Sequence, residues 1–416
     1  MEMRTIGIIL AMLLAAVPDS SPADDIVMLR DLEQEAIKNN PEIRMAEKRE
    51  EAAKRRVTTA SAMPDPMIGF EVQNVGRLSN LTVGEEGMSM AGVVISQEIP
   101  FPGKLSAMGR AARKAAERMH EDLRGTRLRV LTALRSAYYD YYLAYRTADI
   151  LNQSLDVMKN FQRIAETRYA TGQGIQQDVL RAQLEVSMLL EKIAMEEQKK
   201  DAQRAMLNSL LGRDPLAPLG RPGDRLRTSF EADIEGLAAT ALARAPVVLE
   251  RQKMVEEGEA ELSLSKREFL PDMTVSAGWF NRGDMTDVWT ASVMFKVPLW
   301  FWNKSAGVKA ASASLSSQRY DYDASRLMTV SKIKDLFTMA KTSERLLNLY
   351  QAGIIPQAGM ALRSSISNYQ VGKIDFLMLL DSQSLLFKYQ IAYEQELVNL
   401  NKTISQIEET SGGVEQ

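Results

Sequence analysis

His120 is the only histidine among 416 residues, and the chain contains no cysteine. These two counts remove most enzyme chemistry: there is no thiolate nucleophile or metal ligand, no disulfide, and a single imidazole for proton transfer. His120 lies among charges in "ERMHEDLR" and reads as part of a solvated helix face. No G-x-x-x-x-G-K-[ST] phosphate loop is present, so any energy for work comes from another polypeptide. The 23 methionines suggest a different chemistry, because thioethers are soft ligands for copper or silver. "MPDPM" (63–67) and "GMSMAG" (87–92) hold the closest pairs, and a flexible apolar side chain that packs is the better account of both. "YYDYYLAY" at 138–145 is read as helix packing. No catalytic, cofactor-binding or metal site emerges. The informative residues are those that turn the chain, beginning with Pro100, Pro102 and Gly103 in "SQEIPFPGKLSA", where a strand-like run meets a long helix.

Composition bounds what such a chain can be. With 45% hydrophobic and 25% charged residues, it can fill two or three buried cores. A net charge of −3 and a pI of about 5.7 argue against the basic surface that nucleic acid requires. At the N-terminus, Arg4 precedes the apolar run "IGIILAMLLAAV", and Ser21 and Ala23 fit a small-x-small cleavage rule, so residues 1–23 read as a signal peptide cut after Ala23. The mature chain then begins at Asp24 in an oxidising compartment, with no cysteine to carry a lipid. No other stretch has the ~18 uninterrupted apolar residues of a transmembrane helix.

The remaining elements follow one plan twice. A helical pattern from about Met28 to Ala62 stops at Pro64 and Pro66. Two alternating strands follow, at about 66–74 and 88–99, joined by a long polar loop. A helix then runs from about Leu105 to Ala170, turns at Gly172 and Gly174, and returns from Ile175 to Leu211. After a linker at 213–231 the order repeats: a helix from about Ile234 to Phe269, strands at about 272–280 and 288–298, Pro298, a second long helix to Val371, a turn at Gly372 and Lys373, and a helix to about Thr410. Lys104 and Lys304, Tyr169 and Tyr369, Gly172 and Gly372, and Gln183 and Gln383 recur at one offset, and the repeated order of elements in register predicts an internal duplication of 24–212 and 232–411, with 412–416 as a tail.

A helix of this length makes a rod of roughly 100 Å, which cannot hide its apolar stripe without neighbours along its whole length. The seam Val130, Leu134, Ala137, Tyr141 and Ala144 recurs at three and four residues. The two shorter helices of each half are expected to stack end to end as its partner. Gly353, Pro356 and Gly359 predict a kink in the second long helix. In the last strand Trp289, Ala291, Val293, Phe295 and Val297 alternate with Thr290, Ser292 and Lys296. A soluble sheet packed on its own helices and a lipid-facing sheet account equally for that alternation. Trp289, Trp300 and Trp302 suit an interfacial girdle in the second case. Four strands cannot close a membrane barrel, so a membrane reading demands an oligomer.

"ISQEIPFPGKLSA" with its counterpart "FKVPLWFWNKSAG", and the turns "RYATGQGIQQDVLRAQ" and "NYQVGKIDFLMLLDSQ", resemble the TolC family of outer-membrane efflux proteins along nearly the whole mature sequence. The resemblance implies a mainly α fold with a small β part: a homotrimer in which four strands per chain build a 12-stranded barrel in the outer membrane and long helical hairpins build an α-barrel across the periplasm. Pro100, Pro102, Gly103 and Pro298 become the barrel-to-tunnel joints. The implied function is a passive exit duct for efflux or type I secretion, working with a periplasmic adaptor and an inner-membrane transporter, without a cofactor. A soluble periplasmic coiled-coil scaffold or adaptor is the alternative. The tips at Gly172, Gly174, Gly372 and Lys373 become the adaptor-docking surface, and Asp381, Asp178 and Tyr369 the periplasmic gate. Two positions depart from the family pattern: Met378 replaces an outer lining aspartate, and Ile374 replaces an arginine. A looser gate is expected from the second change.

Overall fold

In the computed structural model, residues 26–77, 80–81, 83–84, 87–223 and 226–413 are described. The expected signal peptide and the new N-terminus at Asp24 lie outside them. Helix α1 (Leu29–Asn39) leads into α2 (Pro41–Ser61), followed by β1 (Met67–Gln73), the short strands β2 (Gly76–Arg77) and β3 (Asn80–Leu81), β4 (Met90–Ile99), α3 (Lys104–Ala170) and α4 (Gln176–Leu211). The second half holds α5 (Ile234–Arg244), α6 (Pro246–Arg267), β5 (Asp272–Arg282), β6 (Met285–Lys296), α7 (Phe301–Leu349), a π-helical turn (Tyr350–Ile354), α8 (Ile355–Gln370) and α9 (Phe376–Ser411). Among the described residues no helix is long and apolar enough to cross a membrane.

Two expectations need correction, and the irregularity expected in the second long helix is found. The helices expected over 28–62 and 234–269 are each two helices. Asn40 (ψ 127°) and Ala245 (ψ 122°) are extended because each precedes a proline, whose ring disfavours the helical conformation before it. The second long helix is interrupted by the π-helical turn, immediately before Pro356. That proline brings no N–H to the carbonyl four residues back, and the wider turn accommodates the defect. The last strand begins earlier than expected, at Met285, and ends at Lys296, before Pro298.

The 67-residue α3 packs against α2 along one part and α4 along the other, and α7 does the same with α6 and α9. The shorter helices meet end to end: Asn40 Nδ2 donates to the Leu210 carbonyl at 2.8 Å, where α4 finishes beside the α1–α2 joint. The predicted seam is buried throughout, from Val130 to Ala144. The tyrosine run packs as expected, Tyr138 donating to the Val27 carbonyl at 3.0 Å and Tyr141 to that of Gly220 at 3.2 Å. His120 is half exposed and meets Glu50 at 2.9 Å.

Four of the strands form one antiparallel sheet in the order β1-β4-β5-β6, and β2 pairs with β3 apart from it. Register places Ile68 opposite Ile95, Ile95 opposite Ala277, and Ala277 opposite Ala291. Val293, Phe295 and Trp289 on β6 share this face with Phe70 and Val72 on β1. The continuous apolar face is the exposed one: Phe70 is 85% and Trp289 78% exposed. On the central strand β5 the opposite face turns inward, burying Ser276, whose hydroxyl donates to Ser96 at 2.9 Å, along with Gly278 and Phe280, while the edge strands β1 and β6 are exposed on both faces. A water-soluble sheet does the reverse.

Candidate functional site

At the far end of the helices, the two tip turns are built alike. Gly172 and Gly372 both adopt φ 74°, a left-handed conformation that glycine tolerates without strain. Gln173 N donates to the Arg168 carbonyl and Lys373 N to that of Asn368, each at 2.8 Å, so α3 and α8 end in the same capping motif. Gly172 has no atom near the space its Cβ would fill. Gly174 and Gly372 instead make room for Arg168: a Cβ at 174 would come within 3.1 Å of Arg168 Cβ, and one at 372 within 3.4 Å of its Nη2.

Arg168 joins the two turns. Its Nη1 donates to the Tyr369 carbonyl, its Nη2 donates to the Gln173 carbonyl at 3.2 Å, and the guanidinium carbon stands 4.8 Å from the centre of the Tyr369 ring. Tyr369 is buried, its ring 5.5 Å from that of Phe376. Asp178, in the first turn of α4, lies beside it. Burial pushes the Asp178 carboxyl above its usual range, against the pull of Tyr369 and Arg168. Burial, and then the charge of Asp178, raises the Tyr369 phenol. The two side chains thus feel each other electrostatically, although the buried Tyr369 hydroxyl makes no hydrogen bond of ordinary geometry. Of the expected gate residues, the structure brings Asp178 and Tyr369 together. It leaves Asp381 apart, exposed on α9 along a groove shared with Arg181 and Lys192.

Sequence reasoning missed Arg168. It looked for a cation two residues after Gly372, where Ile374 stands, whereas the guanidinium comes from the other half of the chain. The available signal was its position immediately before Tyr169 in the first Tyr-x-x-Gly turn.

The residues expected to form the barrel-to-tunnel joints lie where strands give way to helices. Lys104 N donates to the Phe101 carbonyl at 2.9 Å around Pro102 and Gly103 (φ 89°), a type II turn with each residue where that turn favours it. Pro100 precedes this turn, and Phe101 N donates to Asp272 Oδ1 at 2.9 Å. Pro298 lies in the link between β6 and α7, where Leu299 N donates to the Val297 carbonyl at 2.9 Å, with no equivalent glycine turn. The matched lysines converge: Lys104 Nζ meets Asp272 at 2.8 Å and Glu268 at 3.5 Å, while Lys304 Nζ meets Glu268 at 2.9 Å. The Lys304 ammonium, aided by Lys104, holds the Glu268 carboxyl below its usual range despite its burial. No cluster of histidine, cysteine, aspartate or glutamate among the described residues can hold a metal ion.

The family model for outer membrane efflux proteins matches residues 32–213 and 237–412. The probable outer membrane lipoprotein SilC of Salmonella typhimurium is 20% identical over 391 residues, 88% of this chain and 83% of that protein. The cation efflux system protein CusC of Escherichia coli K12 is 21% identical over 395 residues, 90% of this chain and 83% of its own. A crystal structure of CusC superposes with a TM-score of 0.81 at 17% identity, covering 93% of this chain and 92% of the other. With two matched segments that together span most of the chain, this protein belongs to the outer membrane efflux protein family, whose members are not enzymes.

Proposed function

We propose that the chain is one third of a homotrimeric exit duct, set in the outer membrane by its strands and crossing the periplasm with its helices. In this role it passively conducts substrates delivered by a periplasmic adaptor and an inner-membrane transporter. The observation that carries this reading is the inverted sheet. Its apolar side chains Phe70, Ile95 and Trp289 are exposed while Ser276, Gly278 and Phe280 on the opposite face of the central strand β5 are buried, and among the described residues β1 and β6 each pair with only one strand. Lipid tolerates no unpaired strand edge, so edge must pair with edge between copies, and three copies of four strands close a 12-stranded barrel. The joints at Pro100, Pro102, Gly103 and Pro298 then mark the level where the chain leaves the bilayer.

The tips carry docking and gating. Gly172 is open to solvent, as a docking surface for an adaptor requires. Three copies of Asp381 converging on the axis would make a ring of negative charge that favours cations. The name of CusC ties that relative to cation efflux, and sensitivity profiling of a deletion strain against metals, dyes and antibiotics identifies the cargo here.

Membrane fractionation tests the assembly. The protein should resist extraction from the periplasm without detergent and then run as a trimer. Recovery as a soluble monomer would point to a periplasmic scaffold instead. In planar bilayers Asp381→Asn should reduce cation selectivity, and unchanged selectivity in an assembled trimer would remove the ring. The relative SilC is named a lipoprotein, whereas this sequence has no cysteine. An intact mass matching an unacylated chain beginning at Asp24 is expected.

A further inference from the structure

The two end-to-end helix joints are filled differently. At the first, the Asn40 side chain donates to the Leu210 carbonyl and accepts from the N–H groups of Glu42 and Ile43. At the second, α9 ends against the start of α6, so closely that a Cβ at Gly412 would come within 2.3 Å of the Arg244 carbonyl. The residue before the proline is here Ala245, which has no side-chain donor or acceptor. A cavity of about 550 Å³ opens at this joint between α3, α6, α7 and the end of α9, a size that suits a small organic molecule. Gly125 of α3 leaves room for it, and Leu128, Pro246, Val247 and Met328 give it an apolar wall.

The polar part of the wall is unbalanced. Carboxylates outnumber cations five to three among the lining residues. Glu121 is held by Arg124 at 2.6 Å, and Asp321 by Arg251 at 3.1 Å. Asp122 and Glu409 make no ion pair among the described residues, and Glu250 reaches only Arg251, at 4.0 Å. Lys332 is exposed, where water screens its charge. The start of α6 and the end of α9 meet here, so their opposite helix dipoles offset each other and side chains set the local charge. Burial raises the Glu250 carboxyl above its usual range, and the charge of Asp122 adds to this against the pull of Arg251.

Thr410 supplies an independent sign of a missing partner. Thr403 and Ser405 on the same helix donate to the carbonyls four residues back. Thr410 lines the cavity at 7% exposure, and its hydroxyl has no hydrogen-bond partner among the described residues. A buried hydroxyl left in that state is costly, and a bound donor removes the cost.

We propose that this cavity is a binding site for a small organic cation, an ammonium or amidinium on an apolar body, held by Asp122, Glu250 and Thr410. Its N–H groups donate to the two carboxylates and the hydroxyl, and its body covers Met328 and Val247. At 1.5 Å per residue the site stands roughly 30 Å along α3 from Lys104 and roughly 70 Å from Gly172, well apart from both the joints to the strands and the tip turns.

Fluorescence titration of the detergent-solubilised protein with p-aminobenzamidine tests this, with neutral p-aminobenzamide and anionic p-aminobenzoate as isosteres. The amidine should bind saturably and the two isosteres should not. Asp122→Asn and Glu250→Gln should each weaken it about tenfold and Thr410→Val about fivefold, as lost hydrogen bonds to charged and neutral partners do. Ala324→Trp, which fills the cavity without removing a carboxylate, should abolish binding, whereas Asp156→Asn on the exposed surface of α3 should leave it unchanged. Absence of saturable amidine binding to the parent protein overturns the proposal, as does equal binding of the benzoate. Binding that survives both Ala324→Trp and the loss of either carboxylate places the cation elsewhere and overturns it too.

Discussion

Tyr169 and Tyr369 occupy the same place in two copies of one motif, each three residues before a glycine at φ 74°, yet one ring is solvated and the other is buried against Phe376 and Arg168. Backbone conformation is common to both turns because glycine dictates it locally. Burial differs because it depends on what the rest of the chain places alongside. The joints teach the same lesson. Lys104 and Lys304 are matched, but Lys104 is buried between Asp272 and Glu268, whereas Lys304 reaches Glu268 from a position more than a third exposed. Duplicated halves can thus keep their turns while their side chains specialise toward each other.

The largest difference is expected at the tips. Tyr369→Ala removes a ring with almost no exposure and should cost about 4 kcal/mol locally, of the order found for buried aromatics. Amide exchange over 365–380 should accelerate accordingly. Tyr169→Ala should stay within about 0.5 kcal/mol in the isolated chain. Equal protection losses in the two variants would mean that the burial contrast has no energetic weight.

At the joint, Lys104→Met strands the partly buried Asp272 and should cost about 3 kcal/mol, as broken buried pairs do. Lys304→Met breaks an exposed pair and should cost less than about 1 kcal/mol. Thermal unfolding of the detergent-solubilised protein measures both, and a reversed order would assign the clamp to Lys304.

Helix capping gives a smaller effect. Asn40 Oδ1 accepts from the N–H groups of Glu42 and Ile43 at 2.8 and 3.2 Å, whereas Ala245 at the matching joint has no side chain able to do so. Asn40→Ala should therefore destabilise by about 1 kcal/mol. The smallest effect is pH dependence at Glu268. Its folded pKa is lowered, so its contribution is complete above the ordinary glutamate value of 4.5 and fades as pH falls through the depressed one. A melting temperature that drops on acidification less steeply in Glu268→Gln than in the parent would show it.

Periodicity, proline and glycine made the long helices, the strands, the tip turns and the duplication legible, because each acts within a few residues of itself. Pro41 and Pro246 were equally visible, but a proline at the first position of a helix fits the helix that follows, so the joints at Asn40 and Ala245 were hidden inside continuous periodic patterns. Alternation in β6 established two faces and left open which of them meets solvent. Only the sheet packed in three dimensions decided that for its neighbour β5, by burying Ser276, Gly278 and Phe280 and leaving Val275 and Trp279 exposed. Arg168 belongs to the same class: its partner Tyr369 lies 201 positions away in the chain. Local backbone preference is written residue by residue, whereas the choice of partner depends on how two 100 Å-scale hairpins lie side by side, which no short stretch of sequence contains.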